Sequence, residues 1–339
     1  MLLSTKQATL ADVALASGVS HQTVSRVVNN HPNVSNKTRQ RVLESIQELG
    51  YRPNRAAKGL ATSKTGVIGI ISFGTNYFGP GQMFTEIERA VRGRGYGLAL
   101  RNIDALSARQ LQAAIDDLAS HPVDGIVINA PFFNLDPVQL LSLRRPLPVV
   151  MTDVPRHAKL PSVVLDQTEG LKLATQHLIA LGHQRIAEIS GPLNWYSAVE
   201  RHKAWVTTVN EAGLVLGPSG VGDWTALGGY RAAQQILTTA EPFTGLVIGN
   251  DQMALGAMRA LREHGLKVPE DVSVVGFDDI PEASFFEPPL TTVRQDFLAM
   301  GQQTVDYLLA LILQPNTPHH QRTLYPQLIE RLSTAQSLS

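Results

Sequence analysis

The chain has 339 residues, of which 43% are hydrophobic and 17% charged, with 29 Lys and Arg against 29 Asp and Glu. This is a globular composition with room for two or three domains, and it excludes disordered and collagen-like chains. No cysteine is present, which excludes a disulfide framework, a thiolate nucleophile and a cysteine-ligated zinc. The first residues, MLLSTKQATLADVALAS, lack a basic stretch followed by an apolar core and a small-residue cleavage site. No apolar run approaches the roughly 20 residues that span a bilayer, so a cytoplasmic location with no membrane partner is expected.

The zero net charge hides an asymmetry. Residues 1–62 carry eight basic side chains (Lys6, Arg26, Lys37, Arg39, Arg41, Arg52, Arg55, Lys58) against three acidic ones (Asp12, Glu44, Glu48), and the remainder holds 21 basic and 26 acidic. A basic head on an acidic body suits a head that meets a polyanion, because binding releases counterions condensed on phosphates.

In chain order, Thr9 is placed to cap a first helix, with Asp12 three residues on, and Leu10, Val13 and Ala14 form one apolar stripe. The helix should stop at Ser17-Gly18, and Ser20 should cap a second, SHQTVSRVVNN. There Val24, Val27 and Val28 form the buried side and His21, Gln22, Ser25 and Arg26 face outward, Gln22 and Arg26 one turn apart. A third helix runs from a cap at Ser35 through KTRQRVLESIQEL to Gly50, with Val42, Ile46 and Leu49 covering the other two. Over residues 1–52 this reads as a DNA-binding helix-turn-helix whose second helix enters the major groove. Gln pairs bidentately with adenine and Arg with guanine, so Gln22, Arg26 and His21 are the base-reading candidates. Ser20, Thr23, Ser25, Ser35, Lys37, Arg39, Asn54 and Arg55 are candidates for the phosphate backbone. The alternative is a three-helix bundle that docks another protein.

Residues 53–65 form a hinge. Asn54 can cap a short helix, RAAKGLA, which at about eight residues is unstable alone in water, and Gly59 costs it about 1 kcal/mol more relative to Ala. The alternative here is a plain linker.

From Gly66 onward, β-branched runs (GVIGIIS, GLALRNI, DGIVINAP, LPVVMTD, PSVVLD, RIAEISG, GLVIG, DVSVVGFDD) alternate with amphipathic stretches such as MFTEIERAVRGRG and LQAAIDDLASH. Such alternation predicts parallel sheets covered by helices, and its length predicts two lobes. Ligands of open α/β sheets sit beyond the carboxyl ends of strands, which here carry Asp153, Asp166, Asn250-Asp251 and Asp278-Asp279. A catalytic reading fails: the paired acids are adjacent rather than opposed, and no phosphate loop, nucleophile elbow or metal-binding His spacing is present. No catalytic residue, metal or cofactor is expected. Asp, Asn and Arg with aromatic rings are instead the inventory that grips a pyranoside.

The segments TLADVALASGVSHQTVSRVVNN, VSNKTRQRVLESIQELGYRPNRAAKGLAT, GNDQMALGAMRALREHGLKVPEDVSVVGFDD and PPLTTVRQDF resemble the lactose repressor family. The resemblance implies a mixed α/β protein: an N-terminal all-α helix-turn-helix head, then a two-lobed, periplasmic-binding-protein-like body of parallel sheets flanked by helices. It implies a first lobe of residues 66–165 with 295–323 and a second of residues 166–290 with 324–339. The crossings fall near Leu165, near Pro289 to Gln295, and in TLYPQLIERL. It implies a hinge helix in the minor groove, with Ala57 and Leu60 at the DNA and Leu60 as a wedge. In the cleft it implies Asp153, Arg201, Asn250, Asp278 and Gln295 as hydroxyl ligands and Trp224 and Phe297 as apolar walls. The implied function is repression of a pseudo-palindromic operator, relieved when a small sugar, a galactoside, closes the cleft. A homodimer is expected, because no leucine heptad follows the last strand. Three departures stand out from the protein that gives the family its name. Phe73, in FGTNYFGPGQM, replaces a Ser at the wall that meets the aglycone; Leu165 replaces a Phe; His21 replaces a Tyr. Alternatives are a regulator answering to a different sugar or a nucleoside-like ligand, and a sugar-binding protein without a DNA role.

Overall fold

The computed structural model describes residues 8–29, 31–51, 64–131, 147–156, 160–239, 241–314 and 316–337. They fall into two compact units, Met1–Thr65 and Gly66–Ser339.

The head holds α1 (Leu10–Ser17), α2 (His21–Val28) and α3 (Asn36–Glu48). Thr9 and Asp12 form a reciprocal capping box, and Gly18 ends α1 with φ of 60°, a left-handed turn that glycine adopts without a Cβ penalty. Ser20 and Ser35 accept the N–H groups of Thr23 and Thr38 and so start α2 and α3. Val13, Val24, Val27, Val42 and Tyr51 make the core. Leu49, expected to cover the other helices, is the α3 cap and is 40% exposed. The buried Tyr51 takes its place, because the left-handed turn at Gly50 folds the chain back over the helices.

The body contains, among the described residues, two six-stranded sheets. Its strands are β1 (Val67–Ser72), β2 (Gly97–Asn102), β3 (Gly125–Asn129), β4 (Val149–Met151), β5 (Ser162–Leu165), β6 (Arg185–Ser190), β7 (Val215–Val221), β8 (Gly245–Ile248), β9 (Ser273–Asp278), β10 (Thr291–Arg294), β11 (Gln321–Leu324) and β12 (Gln327–Ile329). Its helices are α4 (Phe78–Gly93), α5 (Ala108–Ser120), α6 (Gln167–Ala180), α7 (Tyr196–Glu211), α8 (Ala226–Thr238), α9 (Asp251–Glu263) and α10 (Phe297–Leu313). The first sheet runs β11-β5-β4-β3-β1-β2, all parallel. The second runs β12-β10-β9-β8-β6-β7, parallel except for the antiparallel β10–β12 pair.

Both faces of each sheet are buried, which explains the near-continuous apolar strands. In the first lobe Ile68, Ile70 and Val127 pack with Ile87 of α4 and Leu308 of α10, while Ile71, Ile126 and Ile128 pack on Leu111 and Leu118 of α5. In the second, α8 and α9 cover one face and α6 and α7 the other.

β7 carries GPSG, which reads as a turn in sequence. It is an edge strand, where proline is tolerated, and its register slips against Ile186 and Glu188. At that slip a Cβ on Gly217 would stand 2.7 Å from the Ile186 backbone. The segment TLYPQLIERL, expected as one strand, is broken at Tyr325-Pro326 into β11 of the first sheet and β12 of the second. Residues 291–294, which the expected lobe boundaries left unassigned, form β10 in the second sheet, and Leu324 pairs with Leu165 in the first. The chain thus passes between lobes after Leu165, after Arg294 and after Leu324. Among the described residues no helix is long and apolar enough to cross a membrane, and no cluster of His, Asp and Glu is arranged to hold a metal.

Candidate functional site

In the head, His21, Gln22 and Arg26 are all exposed on α2. Ser20 and Thr23 bond each other through their hydroxyls at 2.9 Å, and the Ser25 carbonyl accepts Asn29 Nδ2 at 2.9 Å. Lys37 is exposed on the first turn of α3, whereas Arg39 Nη2 donates to the His31 carbonyl at 2.7 Å and ties α3 to the turn after α2. Asn54, Arg55, Ala57 and Leu60 lie outside the described residues.

In the body, two adjoining cavities of about 80 and 50 Å³ share Gly79, Pro80, Trp195, Ser197, Arg201 and Gln295, and so form one cleft walled by both lobes. Arg201 is reached from α7 and is 6% exposed. Its guanidinium lies 3.6 Å from the Phe277 ring centroid and 5.6 Å from that of Trp224. From there a circuit of polar contacts closes on itself. Arg201 Nε donates to Gln167 Oε1 at 2.8 Å, Gln167 Nε2 to Gln295 Oε1 at 3.3 Å, and Gln295 Nε2 to Asp278 Oδ1 at 2.6 Å. Asp278 Oδ1 in turn stands 3.9 Å from Arg201 Nη2, and Arg201 Nη1 donates to the Gly249 carbonyl. Gln167 and Gln295 sit at two of the three lobe crossings, so the circuit binds the second lobe to the joints of the body.

The strand-end acids divide by role. Asp153 and Asp278 line the cleft, and burial pushes both up to about 6, opposed by the Arg201 charge. Asp251 is fully buried, accepts the Ile280 N–H at 2.9 Å and the Thr292 hydroxyl at 2.6 Å, and is pushed up to about 8 by burial and then by Asp278. It joins the start of α9 to β10. Asp279 is clamped by Arg294 and Arg331, each at 2.6 Å, and Asp166 caps α6 while pairing with Arg156 at 2.7 Å.

The other expected ligands differ in what they face. Asn250 borders the cleft, but its Oδ1 caps α9 and its Nδ2 donates to the Trp224 carbonyl at 3.1 Å, which fixes the indole. Trp224 is buried with φ of 71°, Asp278 has φ of 109° and Asp279 φ of 53°. Three non-glycine residues in left-handed backbone around one cleft mark a place where folding energy is spent on shape. Phe297 lines the cleft and packs edge-on against Phe78, with centroids 6.1 Å apart. Phe73, expected at the aglycone wall, lines neither cavity. It stands behind Trp195, with centroids 5.3 Å apart, because the larger indole fills the space in front of it. Sequence reading missed Gln167, Trp195 and Asn129. Gln167 follows a strand-end Asp, a position already marked as one where ligands gather.

Comparison with known proteins agrees with this arrangement. Residues 9–54 match the bacterial regulatory proteins of the lacI family, and residues 175–334 match a periplasmic binding protein-like domain. The chain is 38% identical over 306 residues to the lactose operon repressor of Escherichia coli strain K12, which covers 90% of this chain and 85% of that protein. It is 36% identical over 333 residues to the HTH-type transcriptional repressor PurR of Haemophilus influenzae strain PittEE, covering 96% and 98%. A crystal structure of the lac repressor dimer bound to operator and the anti-inducer ONPF superposes with a TM-score of 0.89 at 36% identity, covering 97% of this chain and all of that one. With a three-helix head, a two-lobed α/β body and relatives matched along nearly its whole length, this chain belongs to the lacI family of bacterial DNA-binding transcriptional regulators, which are not enzymes.

Proposed function

We propose that the chain is a cytoplasmic transcriptional repressor that binds a pseudo-palindromic operator as a homodimer and releases it when a small sugar with a galactose-type ring occupies the cleft. The circuit Arg201–Gln167–Gln295–Asp278 carries this reading. Its donors and acceptors suit vicinal hydroxyls, Trp224 and Phe297 supply apolar walls, and two of its members stand at lobe crossings. A ligand that bonds these groups changes the angle between the lobes, and operator affinity shifts by the coupling free energy between the two sites. His21, Gln22 and Arg26 read bases, with Ser20, Thr23, Ser25, Lys37, Arg39, Asn54 and Arg55 on the backbone and Ala57 and Leu60 at the minor groove.

Dimerisation is supported by an apolar groove on the second lobe between α8, α9 and the turn Pro281–Phe285. Leu227, Leu255 and Phe285 are 55%, 50% and 87% exposed there, more apolar surface than a lone subunit needs. A second reading, a regulator answering to a nucleoside-like ligand, is favoured by Tyr77 and Trp195, aromatic rings that border the cleft and offer stacking surface to a flat heterocycle.

Fluorescence anisotropy on a lactose-type operator duplex and a scrambled control, at about 150 mM salt, tests both. Specific binding released by a galactoside supports the first reading, and release by a nucleoside or base alone supports the second. Titrating the sugar against pH adds a check. Asp153 and Asp278 accept sugar hydroxyls best as carboxylates, and burial raises both from 3.8 to about 6. Sugar affinity is therefore expected to increase from about pH 5 to about pH 7 and to level off above. A flat profile would detach both acids from the ligand.

A further inference from the structure

Beside the polar circuit, the cleft is bordered by aromatic rings drawn from both lobes. Trp195, immediately before α7, is the centre of that group. Its indole meets Phe73 and Tyr77 of the first lobe at centroid distances of 5.3 and 5.4 Å and Trp224 of the second at 5.8 Å. The fit is close: a Cβ on Gly74, where φ is 64°, would stand 2.9 Å from Trp195 Cη2. The neighbouring Tyr196 adds a polar fastening, its hydroxyl accepting the Arg156 N–H of the first lobe at 3.1 Å. Trp195 also borders both cavities of the cleft. It is therefore the side chain that stands between a ring held by the polar circuit and the space in front of Phe73.

We propose that Trp195 is the specificity-determining residue of this cleft, a fixed indole that admits a single pyranose ring with a small substituent and excludes a bulky aglycone or second ring beside these aromatic rings. This rests on the sugar reading above. The physical basis is that displacing the indole breaks three aromatic contacts and opens a buried space, whereas a small substituent leaves them intact. A ligand large enough to displace it also parts the lobes at the point where the rings join them, so oversized sugars bind weakly and act poorly as inducers.

The test compares methyl galactoside and nitrophenyl galactoside by isothermal titration of the full-length protein and of Trp195→Ala. The intact protein is expected to prefer the methyl sugar, and Trp195→Ala to shift the affinity ratio at least about tenfold toward the nitrophenyl sugar. Phe73→Ser, on the far side of the same contact, serves should Trp195→Ala fail to fold, and its ratio should shift in the same direction. Binding of both sugars with an unchanged ratio in either folded variant overturns the gate while leaving the sugar reading intact. Failure of both sugars to bind any of the proteins overturns the sugar reading, and the gate with it.

Discussion

Arg201→Lys is expected to weaken sugar binding about 100-fold while the protein still folds and still occupies its operator, giving a repressor that its inducer cannot lift. The guanidinium donates in two directions at once, through Nε to Gln167 at 2.8 Å and through Nη1 to the Gly249 carbonyl, while its carbon stands 3.6 Å over the Phe277 ring centroid. An ammonium keeps the charge but has neither the fork nor the plane, so it satisfies one partner and leaves the circuit open. Two charge-assisted hydrogen bonds from a guanidinium so held to sugar hydroxyls, at roughly 1.5–3 kcal/mol each, correspond to about two orders of magnitude or more in affinity. Arg201→Ala is a different experiment. It strips the counter-charge from Asp153 and Asp278 inside a buried site and is expected to cost about 3–5 kcal/mol of stability, so its loss of binding would report unfolding. Calorimetric titration of Arg201→Lys, with operator binding by anisotropy, reads the prediction, and sugar affinity within about threefold of the parent would remove Arg201 from the ligand set.

The second large effect belongs to the head. On the proposed reading, Gln22→Ala and Arg26→Ala each remove a base contact worth about 1–3 kcal/mol per half-site, and a dimer would lose each contact twice. The double substitution should therefore lower specific operator affinity about a thousandfold or more. Scrambled duplex should bind Gln22→Ala as before and Arg26→Ala slightly more weakly, because only the second change removes a positive charge. Neither side chain belongs to the buried core of Val13, Val24, Val27, Val42 and Tyr51, so the head keeps its thermal transition. Equal losses on operator and scrambled DNA would assign α2 to the phosphate backbone.

The head was legible in the sequence because its determinants are local. Thr9, Ser20 and Ser35 start helices, Gly18 stops one, and valines at helical spacing face one another. The β-branched runs of the body were legible for a similar reason, since strands buried on both faces need no partner to be recognised. What escaped depends on residues far apart in sequence. Gln167 and Gln295 meet across 128 residues, and although each stands just after a strand, nothing in the sequence pairs them. Trp195 matters only because β1 delivers Phe73 beside it, and the resulting stack moves Phe73 away from the cavity wall. The left-handed backbone at Trp224 has no sequence mark either, because a bulky indole rarely enters that region, whereas Asp278 and Asp279 belong to a residue type that enters it more readily. Asn250, which the family resemblance implies as a ligand, stands just after a strand, and that place also makes it a helix cap.

The triple passage of the chain between lobes has a consequence for biosynthesis. β11 completes the first sheet and β12 the second, and both lie within residues 321–329. A ribosome has therefore made almost the entire body before either lobe can close, and until then β5 and β10 present open hydrogen-bonding edges. The head, complete by Tyr51, can fold far earlier. A nascent chain thus carries a finished DNA-reading module attached to an unfinished sensor for most of its synthesis. Stalling or nonsense truncation before residue 321 leaves aggregation-prone sheet edges in both lobes at once, so such a fragment is a substrate for chaperones and proteases rather than a half-working regulator.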